Sequence, residues 1–92
     1  MTEPLTPLRV PKPLKTRFAK KTVQARAAIA KTFHQLRVDW RYPGLRSKKM
    51  QGRVAVNGEP VFEARASRGD RVTFYWDGPV IVIENHCDHS IL

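Results

Sequence analysis

Ninety-two residues, with 17 Lys and Arg against eight Asp and Glu for a formal net charge of +9, form one small domain and exclude a multidomain enzyme. Apolar residues make up 41% of the chain, but no apolar run approaches the ~20 residues of a membrane-spanning helix, which excludes a transmembrane protein. Cys87 is the single cysteine. No internal disulfide can form, so a reducing setting is expected, the cytoplasm or an organellar matrix.

The charge is uneven. Met1 to Arg53 holds 14 basic residues against Glu3 and Asp39, whereas Val54 to Leu92 holds three against six acidic residues. Such asymmetry suggests a polyanion-binding face in the first half and an ordinary globular remainder, with nucleic acid as the leading partner. The alternative is a basic face kept for solubility.

Residues 1–18 place Pro4, Pro7, Pro11 and Pro13 among isolated apolar residues and Lys12, Lys15 and Arg17. This pattern predicts a flexible, extended basic arm of polyproline type, and it argues against a secretory signal or a helical presequence. Lys20 to Leu36 lacks Gly and Pro, and Ala25, Ile29, Phe33 and Leu36 recur at helical spacing. One amphipathic helix is expected, with Lys20, Lys21, Arg26 and Lys31 on its other faces. Tyr42-Pro43-Gly44 breaks that pattern, and the basic stretch Leu45 to Arg53 is expected to hold one short helical turn. Arg53 to Val56 reads as a strand with Val54 and Val56 on one face. Asn57-Gly58 reads as a two-residue hairpin turn, because both positions tolerate positive φ, and Glu59 to Glu63 as the return strand. Arg71 to Trp76 alternates as a strand with Phe74 and Trp76 in the core. After the turn at Asp77-Gly78, Pro79 to Ile83 reads as a buried or pairing strand. The order is that of an α+β domain spanning 19–79, with a strand and tail at 80–92.

The run Gly52-Arg53-Val54-Ala55-Val56-Asn57-Gly58-Glu59-Pro60-Val61, followed by Arg68-Gly69-Asp70-Arg71-Val72, resembles the second half of the S-four-type (alpha-L) RNA-binding domain. The segment Pro79 to Leu92 is similar to the joint between that domain and the catalytic domain of RluA-type pseudouridine synthases. The resemblance implies an alpha-L-like fold, with one main helix and a short helical turn on a small antiparallel sheet. It also implies that Arg46, Ser47, Lys48 and Lys49 begin an RNA-facing helix that Gln51 and Arg53 end. Ser47 stands only five residues before Gly52, so this part of the motif is shortened. The Arg-Leu-Asp catalytic motif of those enzymes is absent. The expectation is therefore a noncatalytic protein.

Physical chemistry is consistent with that placement. Arg46 and Arg53 can hold phosphate bidentately, with Lys48 and Lys49 as point charges. Arg41 and Lys31 extend the basic surface. Trp40 and Tyr42, set between Arg37, Arg41 and Arg46, suit either base stacking or a lid on the core. His86, Cys87, Asp88 and His89 are of metal-ligand type, but adjacent residues converge poorly on one ion, and only His34 lies elsewhere. Cys87 beside His89 is a weak nucleophile candidate. No metal or cofactor is expected.

The sequence thus predicts a module that binds structured ribosomal or transfer RNA. Two alternatives are the detached front of an RluA-type synthase working with a catalytic partner protein, and a ribosome-associated structural protein. If Val80 to Ile83 is an uncovered sheet edge, a chain ending at Pro79 should be more soluble.

Overall fold

The computed structural model describes residues 5–67 and 69–88, with side chains through residue 85. Strand β1 (Leu8–Arg9) is followed by helices α1 (Lys12–Ala19) and α2 (Val23–Asp39) and a 3-10 turn at Pro43–Leu45. Strands β2 (Lys48–Val54), β3 (Pro60–Arg65), β4 (Asp70–Asp77) and β5 (Val80–Asp88) complete the chain. They form one five-stranded sheet in the order β1-β5-β4-β3-β2, parallel between β1 and β5 and antiparallel elsewhere. The α+β class stands.

The segment expected to be an extended arm instead contributes a strand and a helix. Pro11 caps α1 and Pro13 lies in its first turn, where a missing N–H costs no hydrogen bond. Leu14 and Phe18, four residues apart, anchor α1 to the core. Leu8 pairs with Ile81, and the Ile81 N–H donates to the Pro7 carbonyl at 2.9 Å. Thr6 and Arg37 tie this segment to α2: the Thr6 N–H and the Arg37 carbonyl lie 2.9 Å apart, and Arg37 Nε donates to the Thr6 carbonyl at 2.9 Å.

Helix α2 starts at Thr22, whose hydroxyl accepts the Ala25 N–H at 3.1 Å. It buries Ile29, Thr32 and Leu36, and Phe33 packs at the margin, 6.1 Å from the Phe18 ring. Both helices cover the sheet face that carries Ala64, Val72, Phe74, Ile81 and Ile83. Trp40, just past α2, makes edge contacts with Phe62, Phe74 and Trp76 at centroid distances of 5.3, 6.4 and 5.9 Å. It is a lid on the core, as one of the two readings had it.

The basic stretch is strand rather than helix. The helical turn comes earlier, at Pro43–Leu45, where Pro43 supplies the fixed φ of a first turn. Gly52, at φ +75°, marks a break in register between Lys49 and Val54, an irregularity that bends the β2–β3 hairpin. Val54 and Val56, expected on one face, are both exposed, and Ala55 between them is buried. The Asn57-Gly58 turn is present but differs in type. Gly58 alone has positive φ, and its N–H bonds the Ala55 carbonyl at 2.9 Å. Asn57 instead uses its side chain, donating to the Trp76 carbonyl at 2.9 Å and accepting the Glu59 N–H at 3.1 Å.

Strand β5 has partners on both sides, so Val80 to Ile83 is no free edge. A chain ending at Pro79 loses the strand that joins β1 to β4 and is expected to show no cooperative urea transition. Phe74→Ala in the full chain should cost about 3–5 kcal/mol of unfolding free energy in the same measurement.

Candidate functional site

The sheet face away from the helices carries the charge. Along β3, Glu63 and Arg65 stand two residues apart and therefore share this face. In register, Lys48 of β2 lies opposite Glu63, and Arg71 of β4 lies opposite Arg65. With Arg46 from the preceding loop they line a cleft of about 150 Å³. Four cations thus surround one carboxylate, leaving an excess of positive charge that favours an anionic ligand.

The centre of the cleft is fixed by Arg71. Its Nε lies 3.7 Å from Glu63 Oε1, with both side chains largely buried at 14% and 15% exposure. Its Nη1 donates to the carbonyls of Ser67 at 2.9 Å and Asp70 at 3.2 Å. The Ser67 hydroxyl in turn donates to Asp70 Oδ2 at 2.7 Å. Removing one partner of such a largely buried pair leaves the other charge without its counter-ion, at a cost in stability.

Arg46 has φ 50° and ψ 41°, the only left-handed non-glycine residue among those described. Its N–H donates to the Pro43 carbonyl at 3.1 Å, which closes the 3-10 turn. A residue held in this region at a cost of ~1 kcal/mol, where glycine would be free of strain, points to a use for its side chain. Next to it, the Ser47 hydroxyl is buried with no hydrogen-bond partner.

The other residues that the sequence singled out are dispersed. Lys49 and Gln51 lie exposed beside Gly52 along β2, away from the cleft. Arg53 bonds Glu84 at 2.6 Å, although β3 and β4 lie between their strands. The bent hairpin therefore folds over this face, above the buried Val61, Thr73 and Val82. Glu84 also accepts the Thr73 hydroxyl at 3.3 Å. Arg41 sits over the Trp40 ring at 4.9 Å, and Lys31 is exposed on α2. Only Arg46 and Lys48 of the eight predicted residues line the cleft.

Sequence reasoning missed Glu63, Arg65 and Arg71. Their signal was present in the spacing of two between Glu63 and Arg65, but the surplus of acid in this half hid it. Among the described residues no group of three His, Cys, Asp or Glu could hold a metal, and His34 is exposed on α2. The side chains of His86, Cys87 and Asp88, and the whole of His89, lie outside the described residues. No helix among the described residues is long and apolar enough to cross a membrane.

No protein-family model and no curated protein matches the sequence. Solved structures do match. The chain is similar over its whole length to all of a chain in the archaeal RelE-RelB complex from Pyrococcus horikoshii OT3, with a TM-score of 0.72 and 16% identity. The fold is that of the RelE-type toxins. In the toxin-antitoxin complex RelBE2 from Mycobacterium tuberculosis, 95% of this chain matches 100% of a chain at TM-score 0.66 and 18% identity. A copper-bound mutant toxin from Helicobacter pylori matches 96% of this chain over 99% of its own length, at TM-score 0.59 and 12% identity.

The RelE-type fold overturns the S-four-type resemblance and, with it, the RluA-type synthase reading and its catalytic partner protein. The motifs behind it, Val-Asn-Gly and Gly-Asp, are turn chemistry. Turn residues of this kind recur in successive hairpins of unrelated folds. The expectation of a noncatalytic RNA-binding module falls with the resemblance it rested on, since the matching solved structures are a RelE-RelB complex, a toxin-antitoxin complex and a toxin.

Removing the orphaned hydroxyl tests the local packing. Ser47→Ala is expected to leave stability unchanged or raise it by as much as about 1 kcal/mol in urea unfolding; a loss would show that the hydroxyl has a partner in solution.

Proposed function

We propose that this protein is a RelE-type toxin that cleaves RNA in the cleft between Lys48, Glu63, Arg65 and Arg71. The observation that carries this reading is the placement of four cations around a single carboxylate on the open face of that fold. Fold alone does not assign chemistry, so the reading rests on the cleft.

RNA strand cleavage needs a base for the 2′-hydroxyl proton, positive charge for the crowded phosphate and a proton for the leaving oxygen. Arg65 has the planar donor geometry to bind two phosphate oxygens, with Arg71 adding positive charge from the centre of the cleft and Arg46 at its rim. Glu63 is the carboxylate of the cleft and takes the 2′-hydroxyl proton as that oxygen attacks phosphorus. The bond from phosphorus to the 5′ oxygen breaks, and the Lys48 ammonium protonates that oxygen. The products are a cyclic phosphate and a 5′-hydroxyl end.

The ribosome is the proposed setting, in the cytoplasm, where RelE homologues act. Lys49, Gln51, Arg41 and Lys31, dispersed outside the cleft, then serve as contacts to the surrounding RNA, and Arg53 holds the hairpin over the face. The proposed protein partner is an antitoxin, since two of the fold neighbours were solved as toxin-antitoxin complexes.

Incubation of the full chain with translating ribosomes and end-labelled messenger tests the reading. Cleavage is expected from the native chain, and Glu63→Gln should slow it about 10²–10⁴-fold while circular dichroism stays unchanged. Intact messenger with the native chain, or full activity in Glu63→Gln, would sink the assignment. Arg46→Gly should keep the fold, relieve the strained φ, and lower the salt slope of RNA binding by about one.

A further inference from the structure

A second pocket adjoins the cleft. It holds about 260 Å³ between α2, the 3-10 turn and the end of β3, and is lined in part by Lys31, Gln35, Tyr42, Gly44, Leu45 and Arg65. Arg65 lines both this pocket and the cleft, so one residue borders the two. The geometry points to a subsite for the base of a nucleotide neighbouring the one whose phosphate occupies the cleft, an inference that rests on the RNA-cleaving reading above.

Each lining group suits that ligand. The volume lies just below the ~300–1,000 Å³ of sites for drug-sized molecules, a size that suits one base. Leu45 supplies an apolar floor and is 4% exposed. Tyr42 supplies an aromatic wall that remains 47% exposed, unlike Trp40, whose ring is committed to the core. Every base has a π-face, so such a wall accepts any of them. Gln35 carries both a donor and an acceptor for a base edge. Lys31 and Arg65 bring positive charge for the flanking phosphates, which explains why a polyanion enters a pocket that is otherwise half apolar.

The Tyr42 ring has a specific support. A Cβ built on Gly44 would lie 2.7 Å from Tyr42 Cε1. The ring therefore rests directly on the Gly44 backbone, and a methyl group there would displace it. Gly44 does not have positive φ, so alanine fits the backbone and only the ring must move.

The test uses a fluorescein-labelled RNA trinucleotide, made uncleavable by a 2′-deoxy sugar at the scissile position, and the same molecule lacking its base at the neighbouring position. For the native chain, loss of the base should weaken binding on the order of 10- to 100-fold, the usual weight of one stacked base. Tyr42→Ala and Gly44→Ala should show the same weakening for the complete trinucleotide and none for the abasic one, whereas Tyr42→Phe should bind like the native chain. Thermal unfolding of each variant checks that the fold is kept. Equal binding of both trinucleotides by the native chain and by Tyr42→Ala, with Arg71→Ala still impaired, would overturn the subsite and leave the cleft assignment standing. Binding that neither Arg71→Ala nor Tyr42→Ala affects would overturn both.

Discussion

The contact of Trp40 with the sheet is the constraint on which the arrangement depends. Its ring meets Phe62, Phe74 and Trp76 edge-on, and Phe62 stacks on Phe74 at 5.6 Å. Edge-to-face pairs add ~0.5–1.5 kcal/mol each beyond the area they bury, and they fix orientation as well as distance. Because Trp40 follows α2 directly, this cluster pins the end of the helix over β3 and β4. The loop from Tyr42 to Ser47 must then leave the helix layer and reach β2 at the margin of the sheet. Its charged Arg46 and half-exposed Tyr42 are carried there as a consequence.

The sheet divides the work between its faces. One face is closed by α1 and α2 over Ala64, Val72, Phe74, Ile81 and Ile83, and supplies the burial that stabilises a domain of this size. The other is shielded only in part, by the hairpin that bends at Gly52 and is tied down by Arg53 and Glu84. Local costs accumulate at and beside the cleft: a left-handed arginine, the unpaired hydroxyl of the serine that follows it and a largely buried ion pair. Such groups persist only where the surrounding structure overdetermines them, and they gather where a ligand is to be bound. The cation surplus follows the same logic. In water it would disperse by repulsion, but strands in fixed register hold Arg65 and Arg71 side by side.

Several elements were legible because their signals are local. Helix α2 is marked by apolar spacing, and β4 by alternation with Phe74 and Trp76 on the inner side. The turns at Asn57-Gly58 and Asp77-Gly78 are also where composition places them. The N-terminal elements were not legible. Four prolines read as an extended arm, because a proline in the first turn of a helix looks the same in sequence as one that prevents a helix. A two-residue strand has no period to detect, and its partner β5 lies some seventy residues away. The basic stretch was read as holding a short helical turn after the break at Tyr42-Pro43-Gly44, and the resemblance placed the start of a helix at Arg46 to Lys49, where the chain enters β2.

What the sequence determined by itself was the α+β class, the main helix, the alternation of the last strands and the large excess of positive charge, because propensity, period and net charge are properties of neighbouring residues. Where that charge gathers was decided by tertiary structure. Lys48, Glu63, Arg65 and Arg71 come from three strands, and only antiparallel register places them in one cleft. A shift of one residue in either pairing would turn Glu63 and Arg65 toward the helices and disperse the cleft. The physical reason is that side-chain direction in a strand alternates with every residue, so a site built across strands is fixed by pairing that no single segment encodes.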